Sequence, residues 1–136
     1  MQEAEKDKYQ RIVIKIDPVS APRQVRSDAW RKRPAVLRYR SFKDELNLLL
    51  ANDEARRVLT KVRERGVIDL SFELPMFDTW SKKKKARMET TPHQQKPDID
   101  NLVKAFLDAV FSEDSFVWAI RASKKWSHVG RISFGV

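Results

Sequence analysis

The sequence contains no cysteine. That excludes a disulfide framework, a cysteine-based zinc site and thiol catalysis. Only three glycines occur among 136 residues, and none belongs to a glycine-rich phosphate loop or a dinucleotide-binding fingerprint. No stretch approaches the ~20 apolar residues of a membrane-spanning helix. The segment from Met1 to Gln10 is polar and charged and lacks the apolar region of a secretory signal. These absences predict a cytoplasmic protein with no membrane partner, with residues 1–10 disordered.

Positive charge is abundant: 28 Lys and Arg stand against 19 Asp and Glu, a formal charge of +9. Charged residues make up 35% of the chain, above the roughly 25% usual for soluble domains. Such a balance favours polyanionic partners. It does not choose between nucleic acid, an anionic membrane and a ribosomal role. With 41% hydrophobic residues, seven Phe and four Trp, one domain spanning 1–136 can bury a core.

Against this basic background, five carboxylates fall between Lys96 and Trp118: Asp98, Asp100, Asp108, Glu113 and Asp114. Pro97 biases Lys96 toward extended geometry. An extended run reaching Asp100 would point Asp98 and Asp100 to one side, since side-chain direction repeats every two residues. Leu102, Val103, Phe106, Leu107 and Val110 then recur at helical spacing, opposite Asn101, Lys104, Ala105 and Asp108. Glu113 and Asp114 lead into an apolar run, and a strand there is expected to return them toward Asp98 and Asp100. Crowded carboxylates repel unless a cation neutralises them. Magnesium suits such a site because it takes oxygen ligands and leaves positions for water and phosphate, where it can activate water on a phosphodiester. Lys104 is placed to hold the carboxylates apart or to contact the scissile phosphate. Each acid also has a plainer reading: Asp100 as a helix cap, Asp108 as the ion-pair partner of Lys104, and Glu113 as a solvated neighbour of Asp114.

The run Lys96-Pro97-Asp98-Ile99-Asp100-Asn101-Leu102, with Lys104, Asp108 and the later Glu113-Asp114, resembles the motif of the RusA-like crossover-junction endodeoxyribonucleases. The specific part covers about a sixth of the chain, with weaker agreement in the first strand and around Lys124-Lys125-Trp126. The resemblance implies that Asp98, Asp100 and Asp114 are catalytic residues binding magnesium, with manganese as a substitute, and that Lys104 is the functional lysine. Asn101, Asp108 and Glu113 would support the ligands without binding the metal. It also implies a four-way DNA junction as substrate, a homodimer, and a bacterial or bacteriophage-infected cell. One departure is Phe116, where the family commonly has Gln.

Along the rest of the chain, Ile12, Ile14 and Ile16 alternate in a first strand over Arg11 to Asp17. Residues 18–40 form a basic loop in which Arg23 and Arg26 are candidate DNA contacts among interleaved aromatics. Ser41 and Asp44 resemble a capping box opening a helix; the stripe breaks at Asn52-Asp53 and ends at Gly66, a good C-cap residue. Ile68, Leu70, Phe72 and Leu74 give the clearest strand. Residues 75–97 form a basic loop or arm with Trp80, Lys82, Lys83, Lys84, Lys85 and Arg87 as a phosphate-gripping ridge, and Ser81 able to open a short helix there. His93 has no partner at ligand spacing and is left without a role. Phe116 to Ala122 reads as a strand internal to the sheet. Lys124 and Lys125, further candidate DNA contacts, follow it with Trp126. A turn near Gly130 leads to a last strand over Ile132, Phe134 and Val136 that can complete a hairpin. The expected fold is α+β, RusA-like, with a mixed sheet of about four strands packed on helices.

Two function classes remain: a magnesium-dependent, structure-selective endonuclease resolving four-way junctions in recombination and repair, and a non-catalytic nucleic-acid-binding module. The second accounts for the charge but not for five acids in one short stretch. If two copies associate, Phe116 and Trp126 are the exposed aromatic candidates for the interface.

Overall fold

The structure is a computed structural model that describes residues 10–22 and 33–136. Its elements run β1 (Ile12–Ile14), α1 (Pro34–Leu49), α2 (Asp53–Arg65), β2 (Val67–Pro75), α3 (Lys82–Met88), α4 (Ile99–Val110), β3 (Ala119–Ser127) and β4 (Arg131–Gly135). The strands form one mixed sheet in the order β1-β4-β2-β3, so the α+β expectation holds. Arg23 and Arg26 lie outside the described residues. So does the expectation for residues 1–10, except at Gln10, whose amide donates to Glu54.

The alternation in β2 appears as the sequence pattern predicts. Ile68, Leu70, Phe72 and Leu74 are buried, while Asp69, Ser71 and Glu73 face the other side. The buried face meets Ile132 and Phe134 of β4, Ile12 and Ile14 of β1, and the apolar stripes of α1, α2 and α4 in one core. The Phe106 and Phe134 rings, 5.3 Å apart, join α4 to the sheet. On the opposite face Arg11 pairs with Asp69 at 2.9 Å and Arg131 with Glu73 at 2.8 Å. These are half-exposed pairs and orient the strands more than they stabilise them.

Two helix starts differ from expectation. α1 begins at Pro34, not at Ser41, which lies within it. Proline presets the helical φ of the first turn and its missing N–H has no acceptor to lose there. Val36 thereby joins Phe42 and Leu46 on the buried stripe. α4 begins at Ile99, so the extended segment stops at Asp98. Asp100 is helical, and the two-residue repeat that would align it with Asp98 does not apply. Ala105, placed on the polar stripe by spacing, is fully buried.

The last strands also depart from the reading. β3 starts at Ala119, includes Lys124, Lys125 and Trp126, and lies at the sheet edge, paired parallel with β2 from Val67↔Ala119 to Pro75↔Ser127. It is not internal: Ile120 is 47% exposed. Nor does it form a hairpin with β4, which inserts between β1 and β2, antiparallel to both. The apolar face of β4 is covered by α4, whereas β3 has only one strand neighbour. Trp126 is buried and Phe116 half-buried against Phe111, so among the described residues the exposed aromatics are instead Trp118 and Phe77.

α2 is capped at both ends. Asn52 Oδ1 accepts from Ala55 N at 2.9 Å, and Gly66, at φ 70°, closes the C-terminus with its N–H donating to Val62 O. Trp118 locks this corner: its backbone N–H donates to Gly66 O at 2.8 Å and its indole N–H to Arg65 O at 2.9 Å. A Cβ at Gly66 would lie 2.6 Å from Trp118 Cδ1 and 2.7 Å from Phe116 O. Gly66→Ala is therefore expected to destabilise the fold by at least the ~1–2 kcal/mol of left-handed backbone, read as a lower urea midpoint at constant slope.

Candidate active site and nucleic-acid interface

The route from β2 to α4 is held along the outer edge of β3. Ser81 Oγ accepts from Lys84 N at 3.1 Å and opens α3, as expected of it. α3 buries none of its residues. Beyond α3, Thr90 N–H donates to Trp126 O, Trp126 N–H to Thr91 O, and His93 N–H to Lys124 O, at 2.9–3.0 Å. Pro92 bridges antiparallel to Lys125. The final tie is the Lys124 ammonium, which donates to Gln95 O and, at 2.7 Å, to Pro97 O. Asp98 comes next.

Asp98 is the N-cap of α4, and its carboxylate makes no capping hydrogen bond. Asp100 sits in the first helical turn. Both are exposed, and neither side chain has a hydrogen bond or ion pair among the described residues. Negative charge here meets the positive end of the helix dipole, typically worth ~0.3–1 kcal/mol. Asp108 and Glu113 are engaged. Asp108 accepts from Lys104 Nζ at 3.1 Å. Glu113 accepts from Ser115 N at 2.9 Å, and this hydrogen bonding holds its carboxyl below the usual range. Burial first, and then the Asp108 carboxylate, push the Tyr39 phenol up.

Asp114 is half-buried and does not return toward Asp98 and Asp100. It follows the C-terminus of α4, whose 12 residues span about 18 Å at the standard rise. Its carbonyl accepts from Val117 N, beside the Gly66 corner where β3 begins, whereas the Asp98 end is tied to Lys124, late in β3. Asp98 and Asp100 therefore share one end of α4 and Asp114 lies at the other. Among the described residues no group of three or more His, Asp and Glu side chains is gathered to hold a metal. Asn101, next to Asp100, is half-buried, and its carbonyl accepts from Ala21 N at 3.2 Å.

The basic candidates divide. Lys82, Lys83 and Arg87 are exposed on α3, with Lys84 and Lys85 half-buried; none has an ion-pair partner among the described residues. Lys84 Nζ lies 4.2 Å from the Trp80 ring centre, a cation–π contact. Lys125 is exposed on β3, while Lys124 turns its ammonium onto the 95–97 backbone. The sequence pattern gives His93 no role and does not bring Trp80 and Trp126 together. Trp126 stacks His93 at 4.1 Å and Trp80 at 4.8 Å, and Phe77 packs edge-on against Trp80 at 5.5 Å. The spacing of Trp80 and Trp126 to the lysines was the only signal for this cluster. Their mutual contact needs the parallel pairing.

The sequence model of the family described as Endodeoxyribonuclease RusA matches residues 7–136, nearly the whole chain. The chain belongs to the RusA endodeoxyribonuclease family. Family membership makes it a DNA-cleaving hydrolase. No curated protein matches the chain. Among the described residues no helix is long and apolar enough to cross a membrane.

Two expectations follow for this RusA-family site. Replacing Lys82 to Lys85 with Ala should weaken binding to every DNA shape and reduce the log–log salt slope by about 0.9 per lost phosphate contact, measured by titration at several salt concentrations. His93 is buried with Nδ1 unpartnered; burial, then the Lys124 ammonium, hold its imidazole below the ordinary value near 6.5. The unfolded chain then takes up the proton first, so His93 subtracts nothing above that value and stability falls as pH drops below it. His93→Phe should flatten the fall in the denaturation midpoint between about pH 7 and about pH 5.

Proposed function

We propose that this protein is a magnesium-dependent, structure-selective endonuclease that resolves four-way DNA junctions as a two-fold homodimer, in recombination and repair. The observation that carries the reading is the pair Asp98 and Asp100, exposed and unengaged at one helix end in a chain of charge +9. In a protein built to hold phosphate, two free carboxylates beside a basic arm are costly unless a cation joins them to the DNA.

The donor chemistry fits a hard cation: carboxylate oxygens with no competing hydrogen bond, no thiol, and room for water and phosphate. Asp98 and Asp100 would hold magnesium, with manganese as a substitute, and Asp114 would complete the set. When bound, the metal activates water and offsets charge developing on the phosphodiester. Lys104, one turn beyond Asp100 and steered by Asp108, would meet the scissile phosphate and stabilise its transition state. Asn101 and Glu113 would order the backbone around the ligands. The α3 lysines, Arg87 and Lys125 hold the duplex arms by their phosphates, as Arg23 and Arg26 would from the basic loop.

Paired nicks in two like strands require two active centres, and two-fold symmetry matches that of the junction. Because Asp114 lies at the far end of α4 from Asp98 and Asp100, a second copy is the natural source of the third carboxylate at each centre. Asp98→Asn and Asp114→Asn should each abolish cleavage of a synthetic junction while junction binding persists. Mixing the two inactive proteins should then restore nicking, since one centre of the mixed dimer regains all three acids. Activity in either single variant would refute the assignment, and a dead mixture would place all three acids in one chain.

A further inference from the structure

We infer that Lys124 is a positioning residue: its ammonium fixes the backbone that delivers Asp98, and it does not grip DNA. This rests on the reading of Asp98 as a ligand. A lysine ammonium has three donors and no acceptor. Here two of those donors are committed to carbonyl oxygens of one chain segment, Gln95 O and Pro97 O, on either side of Lys96. The second of these belongs to the residue immediately before Asp98.

The segment has little else to fix it at that point. His93 N–H is the last backbone donor tied to β3, through Lys124 O, and Pro97 has no N–H to give. Asp98 makes no capping contact with its own helix. The next backbone constraint is Leu102 N–H on Asp98 O at 3.2 Å. Lys124 therefore bridges the gap between the sewn segment and the helix. It does so from a strand whose position is set residue by residue, Lys124 opposite Phe72, whose side chain is in the core. A rigid strand thus dictates where an exposed carboxylate stands. Lys124 is half-buried and has one donor left, while Lys125, next along the strand, is exposed with its ammonium uncommitted among the described residues.

The test compares Lys124→Met with the unaltered full-length protein. Hydrogen exchange of metal-free protein should accelerate at Leu102, whose N–H donates to Asp98 O, and remain unchanged in β2 and β4. Junction affinity without metal, and its salt slope, should be unchanged. Turnover should fall on the order of 10²-fold, as expected when reacting groups are misplaced by about 1 Å, with KM steady. The magnesium concentration for half-maximal rate should rise about 10- to 100-fold, the range for residues that orient metal ligands. Unchanged exchange at Leu102, or a salt slope reduced by about 0.9, would overturn the inference and return Lys124 to the DNA-contacting set. Should the Met variant fail to fold, Lys124→Gln, which keeps a donor for one of the two carbonyls, is put through the same measurements, and the same results support or overturn the role. Asp98→Asn run in parallel separates the two readings. If it cleaves, the metal-site assignment fails while exchange still decides the role of Lys124; if it is dead and Lys124→Met is normal in exchange, only the positioning role fails.

Discussion

The parallel pairing of β2 with β3 is the constraint on which the rest depends. Parallel neighbours cannot be joined by a tight turn, because the chain leaves one strand at the end opposite to where it must enter the next. The return path here runs from Met76 to Trp118 and carries α3, the segment sewn to β3, and α4. One topological requirement thus supplies both the basic ridge and the acidic helix end. It also explains why the acids separate: α4 runs back along the sheet, so Asp98 starts it beside the late residues of β3 and Asp114 follows it beside the first ones. The pairing that requires α4 is the one that sets these acids at its opposite ends.

Electrostatics sorts the carboxylates further. Asp69 and Glu73 are satisfied by Arg11 and Arg131 across the sheet, Asp108 by Lys104, and Glu113 by the turn that follows it. Each is accounted for by ordinary structure. Asp98 and Asp100 receive only the diffuse field of a helix N-terminus, worth at most ~1 kcal/mol at an exposed site. Among the described residues, surface acids such as Asp44, Glu45 and Asp78 are open as well, so what sets Asp98 and Asp100 apart is that two open carboxylates share one helix end.

Much of this is legible in the residues. The alternation of β2, the cap at Gly66, the break at Asn52 and the Ser81 start of α3 are local signals with local causes, and the structure keeps all four. The departures share a different cause. Whether β3 lies inside or at the edge depends on what flanks it, and the apolar alternation from Phe116 to Ala122 is compatible with either. A hairpin with β4 is plausible by proximity, but β4 has two buried-face partners in β1 and β2 and gains more contact between them. The 90–93 segment is attached through main-chain hydrogen bonds, which leave no pattern in side-chain types. For the centre, the motif locates Asp98 and Asp100, yet the start of α4 at Ile99 removes the geometry that an extended run would give them. For Lys124 the sequence shows a charge but not its direction, which the structure gives as onto Gln95 O and Pro97 O.

Trp126 shows how the core and the functional segment are made mechanically continuous. Its side chain is buried against Phe77, Trp80 and His93, and its backbone both donates to Thr91 and accepts from Thr90. An aromatic of this size gains most of its stabilisation from area removed from water, and here that area is shared with the residues leading into α3 and out of it. α3 itself buries nothing, so its placement relies on these flanking contacts, with Lys84 returning to the Trp80 face. The segment beyond is tied instead through its main chain, by Trp126 backbone, His93 N–H and the Lys124 ammonium. The basic helix thus rests on side-chain contacts at its flanks while the approach to α4 rests on the edge of β3, and Trp126 is the residue at which the two meet.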